Sequence, residues 1–131
     1  NLFQIKMGVG SGFKGRFNFS SEWIGQQSKV NQLIFNNLQG NLLLKYKFSP
    51  SFSFRFLNSF WGIWQNQQSN YSFFGNVELQ KTWKKIDVHL LCHNLYNARS
   101  YQQQWNSEFY SSLYQVFLLP RYLMLKFSFN F

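Results

Sequence analysis

Leu123-Met124-Leu125-Lys126-Phe127-Ser128-Phe129-Asn130-Phe131 sets five apolar residues on odd positions against mostly polar residues on even ones. A period of two is the geometry of a β-strand whose faces meet different surroundings. The same contrast recurs upstream. Phe3, Ile5, Met7 and Val9 alternate with Gln4, Lys6 and Gly8, and Phe13, Gly15, Phe17, Phe19 and Trp23 alternate with Lys14, Arg16, Asn18, Ser20 and Glu22. Further on, Leu38 to Phe48, Phe52 to about Trp64, Tyr71 to Trp83 and Ile86 to Cys92 repeat it. This predicts seven strands, each apolar on one side, over the whole chain of 131 residues.

Composition narrows the setting. Aromatic residues make up 22% of the chain and charged residues 13%, while mean hydropathy is only −0.31 because Asn, Gln and Ser are abundant. A soluble domain with so much aromatic surface would expose large apolar patches. A transmembrane barrel combines these properties, one face meeting lipid and the other water or a plug. No run approaches the roughly 20 apolar residues of a membrane helix. The expected fold is therefore all-β: an antiparallel transmembrane β-barrel, of which residues 1–131 form about seven C-terminal strands. A soluble sandwich is the competing fold, with two inner faces packed together.

The connections point the same way. Gly10-Ser11-Gly12, Ser49-Pro50-Ser51 and Lys84-Lys85 read as tight turns, glycine supplying the positive φ of the first. Gly25 to Gln32, Gln65 to Asn70 and Ala98 to Ser112 read as long polar loops at the other end. Outer-membrane barrels carry short turns on the periplasmic side and long loops outside, so localisation in a bacterial cell outer membrane is expected. Known single-chain bacterial barrels have even strand counts, and the sequence opens at Asn1 with neither Met nor signal peptide. A fragment of a larger barrel, or one part of a shared wall, is expected.

Matching face to face across each turn sets a register. Val9 would oppose Phe13 and Lys6 oppose Arg16; Phe48 would oppose Phe52 and Lys45 oppose Arg55; Trp83 would oppose Ile86. Lys6, Lys14, Arg16, Lys45, Lys47, Arg55 and Lys126 would then line the lumen as a basic collar, within a net charge of +9. Like charges directly opposite are destabilising unless compensated, by water and counter-ions or by an acidic partner such as a plug or anionic substrate. A nucleic-acid interface is disfavoured because these cations share strands with lipid-type faces. Aromatic residues at the strand ends suit two interfacial girdles: Phe13, Tyr46, Phe48, Phe52 and Trp83 at one, Trp23, Trp64 and Tyr71 at the other.

Catalytic and metal motifs are sparse. His89 and His93 stand four strand residues apart, about 13 Å, too far to chelate one ion. Asp87 and His89 lack a nucleophile motif, and Cys92 is the single cysteine. No catalytic residues, metal site or cofactor are expected, and the chain reads as a non-enzyme.

Asn94-Leu95-Tyr96-Asn97 is similar to the Asn-Leu-Phe-Asp/Asn segment near the end of TonB-dependent outer-membrane receptors, with Tyr96 in place of the usual Phe. Leu119-Pro120-Arg121, followed by the terminal alternating strand, resembles the C-terminus of their Bacteroidetes-type members. The resemblance covers the last third of the chain. It implies the barrel segment of a receptor importing a large nutrient, in a barrel of about 22 strands with a plugged lumen. Lipid, the missing strands and plug of the same protein, TonB, a surface lipoprotein and the barrel-assembly machinery are the implied partners. Leu125, Phe127, Phe129 and Phe131 would form the assembly signal. Gln26, Gln27, Gln67, Gln68, Tyr101, Trp105 and Tyr110 would be extracellular loop contacts. The alternative is a non-transporting barrel that anchors or assembles a surface complex, and an outer-membrane enzyme stands third.

Overall fold

The computed structural model describes residues 2–12, 15–30, 33–65, 68–106 and 111–129, with backbone alone at Leu2, Val30, Leu33, Gln68, Gln103, Gln104, Trp105, Asn106 and Ser111. Nine strands are described: β1 (Leu2–Gly10), β2 (Phe17–Val30), β3 (Leu33–Ser49), β4 (Phe52–Gln65), β5 (Gln68–Trp83), β6 (Ile86–His93), β7 (Ser100–Asn106), β8 (Ser111–Phe117) and β9 (Tyr122–Phe129). Seven make one antiparallel sheet in the order β1-β2-β3-β4-β5-β6-β9, and β7-β8 form a separate hairpin. The sheet is open, with β1 and β9 at its edges.

Alternation and ladder agree on which side chains share a face. Directly paired residues point the same way. The pairs Phe19↔Leu44, Leu44↔Phe56, Phe56↔Val77, Val77↔Cys92 and Cys92↔Leu123 therefore collect the apolar positions of six strands on one side. Lys45↔Arg55, Arg55↔Glu78 and His89↔Lys126 collect the charged positions on the other.

Two tight turns stand where expected. Trp83 pairs with Ile86 around Lys84-Lys85, and Lys84 takes the positive φ, 56°. Around Pro50-Ser51 a register shift between Lys47 and Ser49 pairs Ser49 rather than Phe48 with Phe52. The rings of Phe48 and Phe52 still stack, with centroids 4.7 Å apart.

The first turn differs. No described glycine has positive φ, and Val9 faces Ser21 rather than Phe13. β2 begins at Phe17, Phe13 lies outside the described residues, and Ser11 and Gly15 are tied to the start of the strand. The Ser11 amide donates to the Phe19 carbonyl at 2.8 Å, the Phe19 amide donates back to Ser11 Oγ at 2.9 Å, and Asn18 Nδ2 reaches the Gly15 carbonyl at 3.0 Å. The slip is even-numbered, so every side chain keeps its face while its partner changes.

The expected long loops at 25–32 and 65–70 are mostly strand. β2 runs to Val30 with Val30↔Leu33, and Gln65 pairs with Gln68. Polar residues on both faces, such as Gln26, Gln27, Asn36 and Asn37, continue the ladder, since backbone pairing needs no apolar side chain. The sorting of connections by length is accordingly weaker than expected. The irregular loop at 98–112 is also replaced, its larger part forming the β7-β8 hairpin.

The hairpin packs on β4 and β5 at the charged face. Tyr101 sets its ring 5.2 Å from Trp61 and 5.0 Å from Phe74. The two buried apolar side chains among the described residues, Phe35 and Ile63, lie on this same face. The apolar face, by contrast, stays exposed: Phe127 at 55%, Leu123 at 71% and Trp83 at 69%.

A candidate functional site on a two-faced sheet

The charged face carries a row of side chains across five strands. Lys45 on β3 faces Arg55 on β4, which faces Glu78 on β5, and Lys126 on β9 faces His89 on β6. Glu78 directly opposes Leu91, and its carboxylate reaches diagonally to His89. Glu78 Oε1 lies 2.8 Å from His89 Nδ1 and Oε2 lies 3.7 Å from Arg55 Nη1. A carboxylate only accepts, so Nδ1 donates. One carboxylate thus bridges two strands and is shared by two basic groups.

The collar residues divide accordingly. Lys45 and Arg55 are direct opposites, as expected. Lys6 is not opposite Arg16; it faces Ile24 and forms an ion pair with Glu22 instead. Arg16 precedes β2, and its carbonyl accepts the Lys47 amide at 2.7 Å. Lys47 faces Ser53, which faces Gln80, which faces His89. Lys14 lies outside the described residues. Alternation puts Glu22 on the face of Lys6, but an even slip leaves its partner open, so the Lys6–Glu22 pair needed the observed register; Glu78 meets Arg55 through a β4-β5 pairing that no tight turn set.

Asp87 accepts the Thr82 hydroxyl at 2.6 Å, directly across the ladder. His93 stacks on Tyr122, centroids 4.8 Å apart. Among the described residues no three His, Cys, Asp or Glu side chains converge as metal ligands.

The suggested loop contacts are mainly strand positions. Gln26 faces Gln4 and Asn37, and Gln27 Nε2 donates to Asn36 Oδ1 at 2.9 Å. Gln68 and Trp105 stand in β5 and β7 by backbone, and Tyr101 anchors its hairpin. Gln67, Tyr110 and Phe131 lie outside the described residues, while Leu125, Phe127 and Phe129 share the exposed apolar face of β9.

The apolar face has its own order. Trp23, Gly40, Phe60 and Phe73 are successive direct partners across β2 to β5. A Cβ on Gly40 would strike the Trp23 ring. Its absence lets the indole lie over β3 and approach Phe60, centroids 6.1 Å apart. Phe60 continues to Phe73 at 5.0 Å, and Phe73 to Tyr96 at 6.4 Å, making an aromatic band. Toward the tight turns, Tyr46, Phe48 and Phe52 form a second band, with Lys81 Nζ 5.7 Å from the Phe52 centroid. Between the bands stand Leu42, Leu44, Phe56, Val77, Cys92 and Leu123, while Leu79, Leu90 and Leu125 continue the rung of Tyr46 across β5, β6 and β9.

The Asn94-Leu95-Tyr96-Asn97 segment is a hydrogen-bonded corner. Asn94 (φ 53°) and Asn97 (φ 54°) both take the left-handed region, which Asn tolerates better than most residues. The Leu95 amide donates to the Gly75 carbonyl at 2.7 Å, and Tyr96 lies against Gly75. The Arg121 amide donates to Asn97 Oδ1 at 3.0 Å, joining both motifs that sequence reading singled out. No protein family, curated protein or solved structure matches the chain.

Proposed function

We propose that this chain is the C-terminal wall of an outer-membrane β-barrel belonging to a TonB-dependent receptor that imports a large nutrient. The observation that carries the membrane reading is the uncovered apolar face. Among the described residues, the one strand element packed against the sheet, the β7-β8 hairpin, sits on the charged side. A sandwich would cover the other face.

The dimensions support lipid as that cover. Phe52 and Trp64, at the two ends of the apolar face of β4, stand about 40 Å apart along the strand at ~3.3 Å per residue. At a tilt of about 45° this is roughly 28 Å of height, close to the ~25 Å apolar band of outer-membrane barrels. In hydrocarbon the open edges of β1 and β9 need partners, which further strands supply. The tight turns then face the periplasm, and the polar ends of β2 to β5 stand outside. The receptor identity rests on the resemblance of residues 94–97 and 119–121.

Two measurements test this. Cys92, half-exposed on the apolar face, takes a polarity-sensitive dye. Blue-shifted emission quenched by doxyl lipids supports the lipid face, and water-like emission overturns it. A dye on Ser53→Cys, in a Cys92→Ser background, should stay water-like. The intact mass and upstream sequence of the native polypeptide decide the receptor: a plug-sized segment supports it, and a complete small barrel without one supports the surface-complex anchor instead.

A further inference from the structure

We infer that Lys45, Lys47 and Arg55, with Ser53 and Gln80, form a binding groove for a small solute oxyanion carrying at least two negative charges. This deepens the proposed function and rests on its reading of the charged face as water-filled.

The three cations and two polar side chains line one open groove beside Glu78. Lys45 and Arg55 are direct partners, and Lys47 follows Lys45 two residues along on the same face. Placing like charges opposite each other is unfavourable without a counter-charge. Glu78 supplies one negative charge against three positive ones: its Oε1 accepts from His89 Nδ1 at 2.8 Å, and its Oε2 forms an ion pair with Arg55 Nη1 at 3.7 Å, beyond hydrogen-bond length. The Lys45 and Lys47 ammonium groups have no carboxylate partner among the described residues. Lys6, by comparison, is matched by Glu22.

The groove therefore holds more positive charge than its own carboxylate balances, and donors stand next to it. Ser53 faces Lys47 and Gln80 faces Ser53. Ammonium, guanidinium, hydroxyl and amide N–H groups from three adjacent strands suit the several oxygens of one phosphoryl or polycarboxylate group. A monoanion would leave the cations partly uncompensated. An extended acidic chain would also meet Glu78 along the row, which favours a compact solute.

The test is calorimetric titration of the folded full chain at low salt with pyrophosphate, with citrate and putrescine in parallel. The proposal expects pyrophosphate to bind and putrescine not to bind. Lys45→Gln/Lys47→Gln should weaken pyrophosphate by about tenfold or more, the scale of one lost charge-assisted contact. Glu78→Gln should tighten it, and Lys81→Gln on the apolar face should leave it unchanged, with circular dichroism verifying the fold of each variant. Citrate binding alongside pyrophosphate marks charge recognition, whereas its absence marks phosphoryl recognition; both support the groove.

The proposal is overturned if the wild type fails to bind pyrophosphate at millimolar concentration, if Lys81→Gln weakens binding as much as the double variant, or if Glu78→Gln does not tighten it. The Cys92 dye separates the two readings. Lipid quenching with no anion binding removes the groove alone, and anion binding without lipid quenching keeps the groove on a sheet outside the membrane.

Discussion

Asn94 ties the end of β6 to the approach to β9: its Nδ2 donates to the Leu119 carbonyl at 2.8 Å, across 25 residues of chain. The same nitrogen donates to the Ala98 carbonyl at 2.7 Å, and Oδ1 accepts the Ala98 amide at 2.9 Å. Asn94 is buried and has positive φ, so one side chain closes the base of the β7-β8 excursion.

Asn94→Ala should accordingly cost about 2–4 kcal/mol, combining unpaired carbonyls, a lost amide partner and left-handed backbone strain. Asn94→Gly removes the same hydrogen bonds but relieves the strain, so it should cost less than Ala. Denaturant unfolding gives the ranking, and faster proteolysis within residues 100–117 locates the effect. A Gly variant as damaged as Ala would show that backbone strain contributes nothing.

Tyr101 holds the hairpin to the sheet through Trp61 and Phe74. Aromatic pairs contribute about 0.5–1.5 kcal/mol each beyond area burial. Tyr101→Ala should therefore destabilise the protein by about 1–3 kcal/mol. Combined with Phe74→Ala in a double-mutant cycle, it should show coupling of about 0.5–1.5 kcal/mol. Zero coupling would mean that the hairpin is held elsewhere.

Leu125 and Met124 are neighbours on β9 with opposite faces, pairing with Leu90 and Leu91. In a bilayer, Leu125→Arg should cost about 2–4 kcal/mol, the penalty at the midplane of a barrel's lipid face, while lumen-side substitutions are much milder. Met124→Arg, facing Leu91 beside Glu78, should be far better tolerated. Refolding titrations into lipid vesicles compare them, and equal costs would contradict the lipid-facing assignment.

Gly40→Ala should push the Trp23 indole off β3, since the new Cβ occupies the ring's place. Trp23 is 37% exposed, so the ring has room to swing outward and the backbone stays. A Trp23/Phe60 double-mutant cycle should give about 0.5–1.5 kcal/mol of coupling in the parent and little in the Gly40→Ala background. Coupling that survives the substitution would rule out the proposed stacking over glycine.

Some of this geometry was legible from residues alone. Alternation assigned Lys45, Arg55 and Lys126 to one face and Phe54, Leu90 and Phe127 to the other. Close turns also set Lys45↔Arg55 and Trp83↔Ile86. The β1-β2 register was not legible, because a side-chain period of two is unchanged by any even slip. Backbone and hydroxyl bonds around Ser11 and Phe19 chose between registers. The polar tips of β2 to β5 were read as loops because Gln and Asn carry no alternation, although their amides pair as readily as any others.

Local chemistry, residue by residue, was enough to make a seven-stranded, two-faced sheet, because alternation acts within each strand and tight turns act between neighbours. Tertiary structure alone decided which charges meet and where the hairpin lies. Lys6 finds Glu22 only after the long first connection sets its register. Glu78 joins Arg55 to His89 because three strands bring them side by side. Tyr101 reaches Trp61 and Phe74 only once Asn94 has turned the chain back over the charged face. These contacts depend on distance in space between segments remote in sequence, which periodicity along one strand does not encode.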